Sequence, residues 1–252
     1  MPLRSLQLFL LLNATLTACQ PKRSTTDQAI KQPHADSQAV VGSARSDNPD
    51  QVIANDFLIV PGKQVGPIRP STSEADLLRL LGPSVVTVGD TLYGAEGEEF
   101  LGTTLYKGTA DEVQIIYTDN EKRTQPQTVL IRPKRFNDEG FPIPNVAPTR
   151  WITASGLRIG TTLKELEKQN GKPFKIWGFE WDYGGMVSTW QGGKLTPLNK
   201  KSFLSISLAA PVTRTPAQEK AYKGLMGDSE FLSSVAAMQV LNPSVQGMQV
   251  SF

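Results

Sequence analysis

The sequence predicts an α+β fold: two tandem units, each a helix with an antiparallel sheet, after a disordered N-terminal tether. Three observations lead to this prediction. Two short segments share one helix pattern, with a capping box at the start and a glycine at the same distance beyond it. Each is followed by short segments in which apolar and polar residues alternate, as they do in strands. Both are preceded by a long stretch that has no aromatic residue.

The first 18 residues have the features of a signal peptide. Arg4 supplies a positive charge, and a mostly apolar stretch follows over residues 6–18. This stretch is too short to cross a bilayer, so a cleaved leader is expected rather than a membrane span. It ends in the sequence LTAC at residues 16–19, which contains the chain's only cysteine.

This ending resembles the lipobox of bacterial lipoproteins. In that family the cysteine sulfur receives a diacylglycerol and the new N-terminus is usually acylated, with fatty chains such as palmitate. The resemblance implies that Cys19 is lipidated and anchors the protein in a membrane, facing the periplasm or the cell exterior. Gln20 follows the cysteine where an Asp would retain a lipoprotein at the inner membrane, which favours the outer membrane. Two or more acyl chains hold a protein firmly, since each buried CH₂ contributes about 0.8 kcal/mol.

Residues 19–51 are predicted to form a lipidated, flexible tether. Polar residues, Ala and Pro fill this segment, and it cannot bury enough apolar surface to offset the entropy of ordering it. The only histidine, His34, lies inside it. A flexible histidine builds neither a His-based zinc site nor a Ser-His-Asp triad.

The composition argues against several classes of function. With Cys19 as the only cysteine, neither a disulfide nor a thiolate metal site is expected. The net charge of +2, from 26 basic and 24 acidic residues, is too balanced for nucleic-acid binding. No phosphate loop, dinucleotide fingerprint or hydrolase nucleophile elbow is present in the sequence. We therefore expect no metal, no cofactor and no nucleic-acid partner.

Residues 52–148 are predicted to form the first α+β unit. Its helix begins with a capping box between Ser73 and Asp76, and Gly82 followed by Pro83 ends it. Leucines between these two points form its apolar face. Strands are expected over 85–88, 103–106, 113–117 and 129–131.

Residues 149–252 are predicted to form the second unit, with a C-terminal helix and strand. Its first helix begins with a capping box between Thr162 and Glu165 and ends at Gly171. Strands are expected over 174–183, 186–190 and 203–208. A helix is expected within 216–238, broken at Gly224 and Gly227. The last strand, over 245–252, is expected to pair into the second sheet.

A resemblance to known families rests on the segment from Gly156 to Leu195. It has a glycine turn, a short capped helix that ends in Gly-x-Pro, and strand-like residues after the helix. This pattern is similar to the units of β-lactamase inhibitor protein and to the small lipoprotein of the outer-membrane β-barrel assembly machine. The segment also resembles uncharacterised bacterial lipoproteins. The resemblance implies a tandem α+β fold and a protein-binding role, and it carries over no catalytic residue.

The densest group of aromatic residues is the candidate binding site. Three of the four tryptophans lie close together, as Trp177, Trp181 and Trp190, with Tyr183 between them. On a strand, Trp177, Trp181 and Tyr183 would share one face with Phe179. Alternating aromatic residues more often face inward, so we expect this face to form the core of the second sheet. If the face is exposed instead, it is a platform for a protein or a sugar.

Two carboxylates alternate with these rings and suggest a second function. Glu180 and Asp182 would lie on the opposite face of the same strand, about 6.5–7 Å apart, a spacing that glycosidases also use. Any strand with a polar face has this spacing. The leading hypothesis is therefore a membrane-anchored, non-enzymatic binding or envelope-assembly lipoprotein that contacts an envelope protein or glycan. The alternatives are an envelope glycan or peptidoglycan hydrolase that uses Glu180 and Asp182, and an inhibitor of a secreted enzyme.

Overall fold

The computed structural model describes residues 56–94, 98–134, 137, 139, 141, 143, 147–197 and 203–252. The predicted signal peptide over 1–18, Cys19 and the tether over 19–51 lie outside the described residues. The α+β class is confirmed, because helices pack with antiparallel sheets. No helix in the described ranges has the length and apolar character needed to cross a membrane.

The described residues form four helices, and local capping boxes explain where the first three begin. They are α1 (Glu74–Leu81), α2 (Leu163–Asn170), α3 (Pro216–Lys223) and α4 (Ala236–Leu241). Ser73 and Thr162 form capping boxes at the starts of α1 and α2, and Gly82 and Gly171 follow their last residues, as predicted. The predicted helix over 216–238 is only partly correct. Its chain leaves α3 at Gly224, forms a short strand and enters α4.

Twelve strands are described, in three sheets. Their bounds are β1 (Leu58–Val60), β2 (Gln64–Val65), β3 (Val86–Tyr93), β4 (Glu99–Leu105), β5 (Val113–Tyr117), β6 (Pro126–Ile131), β7 (Ile152–Thr153), β8 (Lys175–Trp177), β9 (Val187–Thr189), β10 (Leu204–Ala209), β11 (Glu230–Leu232) and β12 (Ser244–Ser251). The main sheet is antiparallel and has the order β10-β12-β6-β5-β4-β3. Two three-stranded sheets have the orders β2-β1-β7 and β11-β8-β9.

The position of β12 corrects the prediction that the last strand pairs into a second sheet. β12 lies inside the main sheet, between β10 and β6. Its register with β6 pairs Met248 with Ile131 and Val250 with Val129. Strands from 52–148 and strands from 149–252 therefore share one sheet. The parallel pairing of β1 with β7 joins the same two segments a second time.

The two predicted units nevertheless repeat one local structure before each capped helix. Thr72 accepts a hydrogen bond from the backbone N–H of Arg69 at 3.0 Å, and Thr161 accepts one from Arg158 at 3.0 Å. In both turns the backbone N–H of the threonine donates back to the arginine carbonyl. The sequence repeat is thus a repeat of turn and helix, whereas the sheet is common to both.

One hydrophobic core fills the space between these elements. Its buried residues come from both segments and include Leu77 of α1, Leu166 of α2, Tyr117 of β5 and Val250 of β12. All described elements, from β1 to β12, belong to one compact unit. A protein of residues 20–252 therefore keeps this whole core.

Candidate functional site

The aromatic segment after α2 does not form the single long strand that the sequence predicts over 174–183. β8 ends at Trp177, and residues 178–185 form a loop before β9. Glu180 has a φ of +65°, in the left-handed region that strands do not use. Because the alternation of a strand stops at Trp177, the rings beyond it are no longer forced onto one face.

The aromatic residues of this region fall into two groups, one buried and one partly exposed. Phe179 and Trp190 are buried, and they pack against Tyr222 and Phe174 respectively. Trp177 and Trp181 are half-buried, and 53% of Tyr183 is exposed. The prediction that this face forms the core is therefore correct for Phe179 and wrong for Tyr183, whereas Trp177 and Trp181 are only half-buried.

Trp177, Trp181 and Tyr183 form an aromatic surface cluster. The ring of Trp181 lies between the other two, with centroids 5.5 Å from Trp177 and 5.3 Å from Tyr183. Both contacts are edge-to-face, the geometry that aromatic quadrupoles favour. The indole N–H of Trp181 donates to the carbonyl of Gly178 at 3.0 Å, which fixes this ring against the loop backbone.

Backbone contacts hold the loop in place. Gly178 donates to Ser229 and Phe179 donates to Leu225, so the start of the loop is tied to the chain between α3 and β11. The carbonyl of Gly185 accepts a hydrogen bond from Leu208 of β10 at 2.8 Å, which ties the end of the loop to the main sheet. A Cβ at Gly185 would overlap the Leu208 carbonyl, so only glycine fits this contact. The cluster is therefore preorganised on a rigid support.

A cleft of about 420 Å³, with both polar and apolar lining, adjoins the loop. Trp181, Glu180 and Tyr222 line it, and the hydroxyl of Tyr222 donates to Oε1 of Glu180. The guanidinium of Arg214 lies 4.3 Å from the centroid of the Tyr222 ring and pairs with Glu219 at 2.7 Å. Burial and the hydrogen bond to Glu180 raise the pKa of Tyr222 to about 12, so this hydroxyl stays a donor at neutral pH.

A second cleft of about 380 Å³ lies beside Asp182. Polar side chains from three elements line it and supply carboxylate, hydroxyl and amide groups: Asp182, Ser205, Ser207, Gln246 and Gln249, with Arg132 at the end of β6. Gly184 and Gln246 line both clefts. Of the three rings of the aromatic surface cluster, Trp181 lines the cleft beside Tyr222, and both clefts have the volume of a small-ligand site.

The arrangement of the two carboxylates corrects the expectation behind the hydrolase alternative. Glu180 and Asp182 do not face the same side of a strand, because both lie in the loop. Glu180 lines the cleft beside Tyr222, whereas Asp182 lines the other one. The spacing argument for a pair of catalytic acids therefore no longer applies. Within the described residues, no group of three or more His, Cys, Asp or Glu side chains is placed to hold a metal ion.

Tyr222, Arg214 and Gln246 also line the clefts but are not predictable as site residues from the sequence. Tyr222 and Glu180 are 42 positions apart, and no local pattern relates them. Gln246 reaches the site only because β12 pairs with β10. The sequence offered one indication of an ion pair here, because Arg214 and Glu219 lie five positions apart at the start of a predicted helix.

Searches with this chain matched no family model, no curated protein and no solved structure.

Proposed function

We propose that this chain is a lipid-anchored, non-enzymatic binding protein of the bacterial envelope, and that its ligand is an envelope glycan. The observation that carries the proposal is the aromatic surface cluster of Trp177, Trp181 and Tyr183, whose loop lines two clefts of small-ligand size. The resemblance of residues 16–19 to a lipobox supports the anchor at Cys19, and Gln20 favours an address at the outer membrane.

The chemistry of the site favours a sugar. A pyranose has an apolar C–H face, which stacks on aromatic rings, and a rim of hydroxyl groups, which need donors and acceptors. The two clefts offer both kinds of group, including the carboxylate of Glu180, the guanidinium of Arg214 and the amide of Gln246. Each cleft has the volume of a small-ligand pocket, whereas a protein partner usually binds a larger and flatter surface.

Binding to purified peptidoglycan sacculi tests the proposal. The protein of residues 20–252 is expected to sediment with sacculi in a saturable way. Tyr183→Ala removes an exposed ring of the cluster and is expected to weaken binding by about tenfold, as the loss of an aromatic anchor does.

Tyr93→Ala is the matched control, because Tyr93 is 67% exposed on β3, at the opposite edge of the main sheet from β10. We expect this variant to bind like the wild type. The proposal is contradicted if the wild type does not bind sacculi, or if the two tyrosine variants lose equal affinity for them. Either result would favour a protein partner or an inhibitor role.

The same sacculi separate binding from hydrolysis. A binding protein releases no soluble fragment on long incubation. If fragments appear, and both Glu180→Gln and Asp182→Asn abolish their release, the chain is a hydrolase and the proposal is wrong.

The lipid anchor is tested separately. Cys19→Ala removes the only thiol, and therefore the site for the diacylglycerol, so fatty-acid labelling of the protein is expected to disappear. Labelling with radioactive palmitate in a bacterial host, followed by electrophoresis, measures this directly. Wild-type protein that takes up no label, or a variant that keeps it, would refute the anchor.

A further inference from the structure

An apolar cavity of about 570 Å³ lies away from the aromatic surface cluster. It is a partly open cavity bordered by β1, the turn after β7, the segment after β9 and the start of β10. Apolar side chains dominate its lining, among them Ile59, Leu157, Trp190, Leu195, Leu204 and Ile206. Ile59, Leu157 and Ile206 are almost fully buried and form its floor.

The walls of this cavity are fixed by hydrogen bonds. The side chain of Asn170, at the end of α2, is fully buried. Its amide group donates to the carbonyls of Lys172 and Trp190, and its oxygen accepts from the backbone N–H of Leu195. The backbone N–H of Lys194 donates to the carbonyl of Asn170 at 2.8 Å. The cavity is therefore a preformed space with an apolar lining, the usual property of a ligand pocket.

The charge at the mouth indicates the kind of ligand. Lys194 is exposed, and it is the only charged side chain among the described residues of the lining. No carboxylate among the described residues pairs with it. An apolar interior with one unpaired cation at its mouth suits a molecule with an apolar tail and an anionic head.

We infer that this cavity binds a long-chain fatty acid, with the acyl chain between β1 and β10 and the carboxylate at Lys194. The cavity and the two clefts of the glycan site share a single lining residue, Ile206, and none of the three rings of the aromatic surface cluster lines the cavity. Fatty-acid binding gives the anchored protein a second ligand, which an envelope membrane supplies.

Palmitate is the probe, titrated below its micelle concentration into the protein of residues 20–252 and followed by calorimetry. The expected result is saturable binding of one palmitate per chain. Ala154→Trp places an indole at the exposed rim of the cavity and is expected to abolish binding. Lys194→Glu is expected to weaken the binding of palmitate by about tenfold, because it removes a charged hydrogen-bond donor. The affinity for hexadecanol, which carries no charge, is expected to stay the same.

Lys220→Glu, on α3 and outside the cavity, is the matched charge control and is expected to change nothing. The inference is overturned if palmitate does not bind to the wild type or if the Ala154→Trp variant binds palmitate normally. It is also overturned if the two lysine variants lose equal affinity for palmitate. It is also overturned if the protein binds phospholipid vesicles but not free palmitate, since the ligand is then a lipid surface.

Discussion

Gly185→Ala is expected to lower the free energy of unfolding by about 4 kcal/mol and to abolish binding to sacculi. Gly185 has a φ of +75°, and an L-residue in this region costs about 1 kcal/mol. The added Cβ would also overlap the carbonyl oxygen of Leu208, and relieving such an overlap in a packed region costs about 3 kcal/mol. The loop then loses its hydrogen bond to β10, and with it the support of the aromatic surface cluster. Chemical denaturation measures the first effect, and co-sedimentation measures the second.

Gly192→Ala provides the matched control for backbone strain. Gly192 has a φ of +69°, and a Cβ there meets nothing within 4 Å. Its substitution is therefore expected to cost only the strain, about 1 kcal/mol, and to leave sacculus binding intact. Equal costs at the two glycines would show that the contact with Leu208 does not hold the loop.

Glu74→Ala is expected to cost about 3 kcal/mol, because it breaks a largely buried ion pair. One oxygen of Glu74 accepts from Nε of Arg123 at 2.8 Å. The other accepts from the backbone of Gly89 at 2.9 Å and from the hydroxyl of Thr103 at 2.8 Å. The side chains of Glu74 and Arg123 are only 13% and 23% exposed, so the substitution leaves a cation and two donors without their partner.

Arg79→Ala is the control for an ion pair at the surface. Arg79 pairs with Asp76 at 2.7 Å, yet its side chain is 77% exposed. The expected loss is about 0.5 kcal/mol. Chemical denaturation of both variants under the same conditions measures the two losses in free energy of unfolding. Equal losses would mean that the ion pair of Glu74 contributes no more than a surface pair.

The same carboxylate gives a pH dependence of known sign. Burial alone raises the pKa of Glu74, but the hydrogen bonds from Gly89, Arg123 and Thr103, with the charge of Arg123, lower it below its ordinary 4.5. The unfolded chain therefore binds more protons in acid, and this stabilisation is present above the unfolded pKa and lost as pH falls through the folded one. The stability gap between wild type and Glu74→Gln is expected to shrink from pH 7 to pH 3, and a constant gap would contradict this assignment.

Local features of the fold were predictable because their causes lie within a few residues. The capping boxes at Ser73 and Thr162 and the alternation of β5 each require only neighbouring side chains. The short strands β1, β2 and β7 carry no such pattern, since two or three residues are too few to show a period. Their pairing depends on partners far away in the chain.

The candidate site was less predictable, because tertiary contacts override the strand pattern there. Aromatic and other residues alternate from Trp177 to Tyr183, and this alternation predicts a strand. The close approach of Gly178 to the carbonyl of Leu225, and the left-handed φ of Glu180, turn that segment into a loop. Exposure of Tyr183 follows from this loop and from no property of the sequence alone.

The four tryptophans give a direct test of the central claim, because each indole N–H has its own NMR signal. Trp177 and Trp181 lie in the aromatic surface cluster, whereas Trp151 and Trp190 are buried. On addition of soluble peptidoglycan fragments, the account predicts that the signals of Trp177 and Trp181 shift in a saturable way while those of Trp151 and Trp190 stay in place. If no signal moves, or if all four move alike, the aromatic surface cluster is not the glycan site.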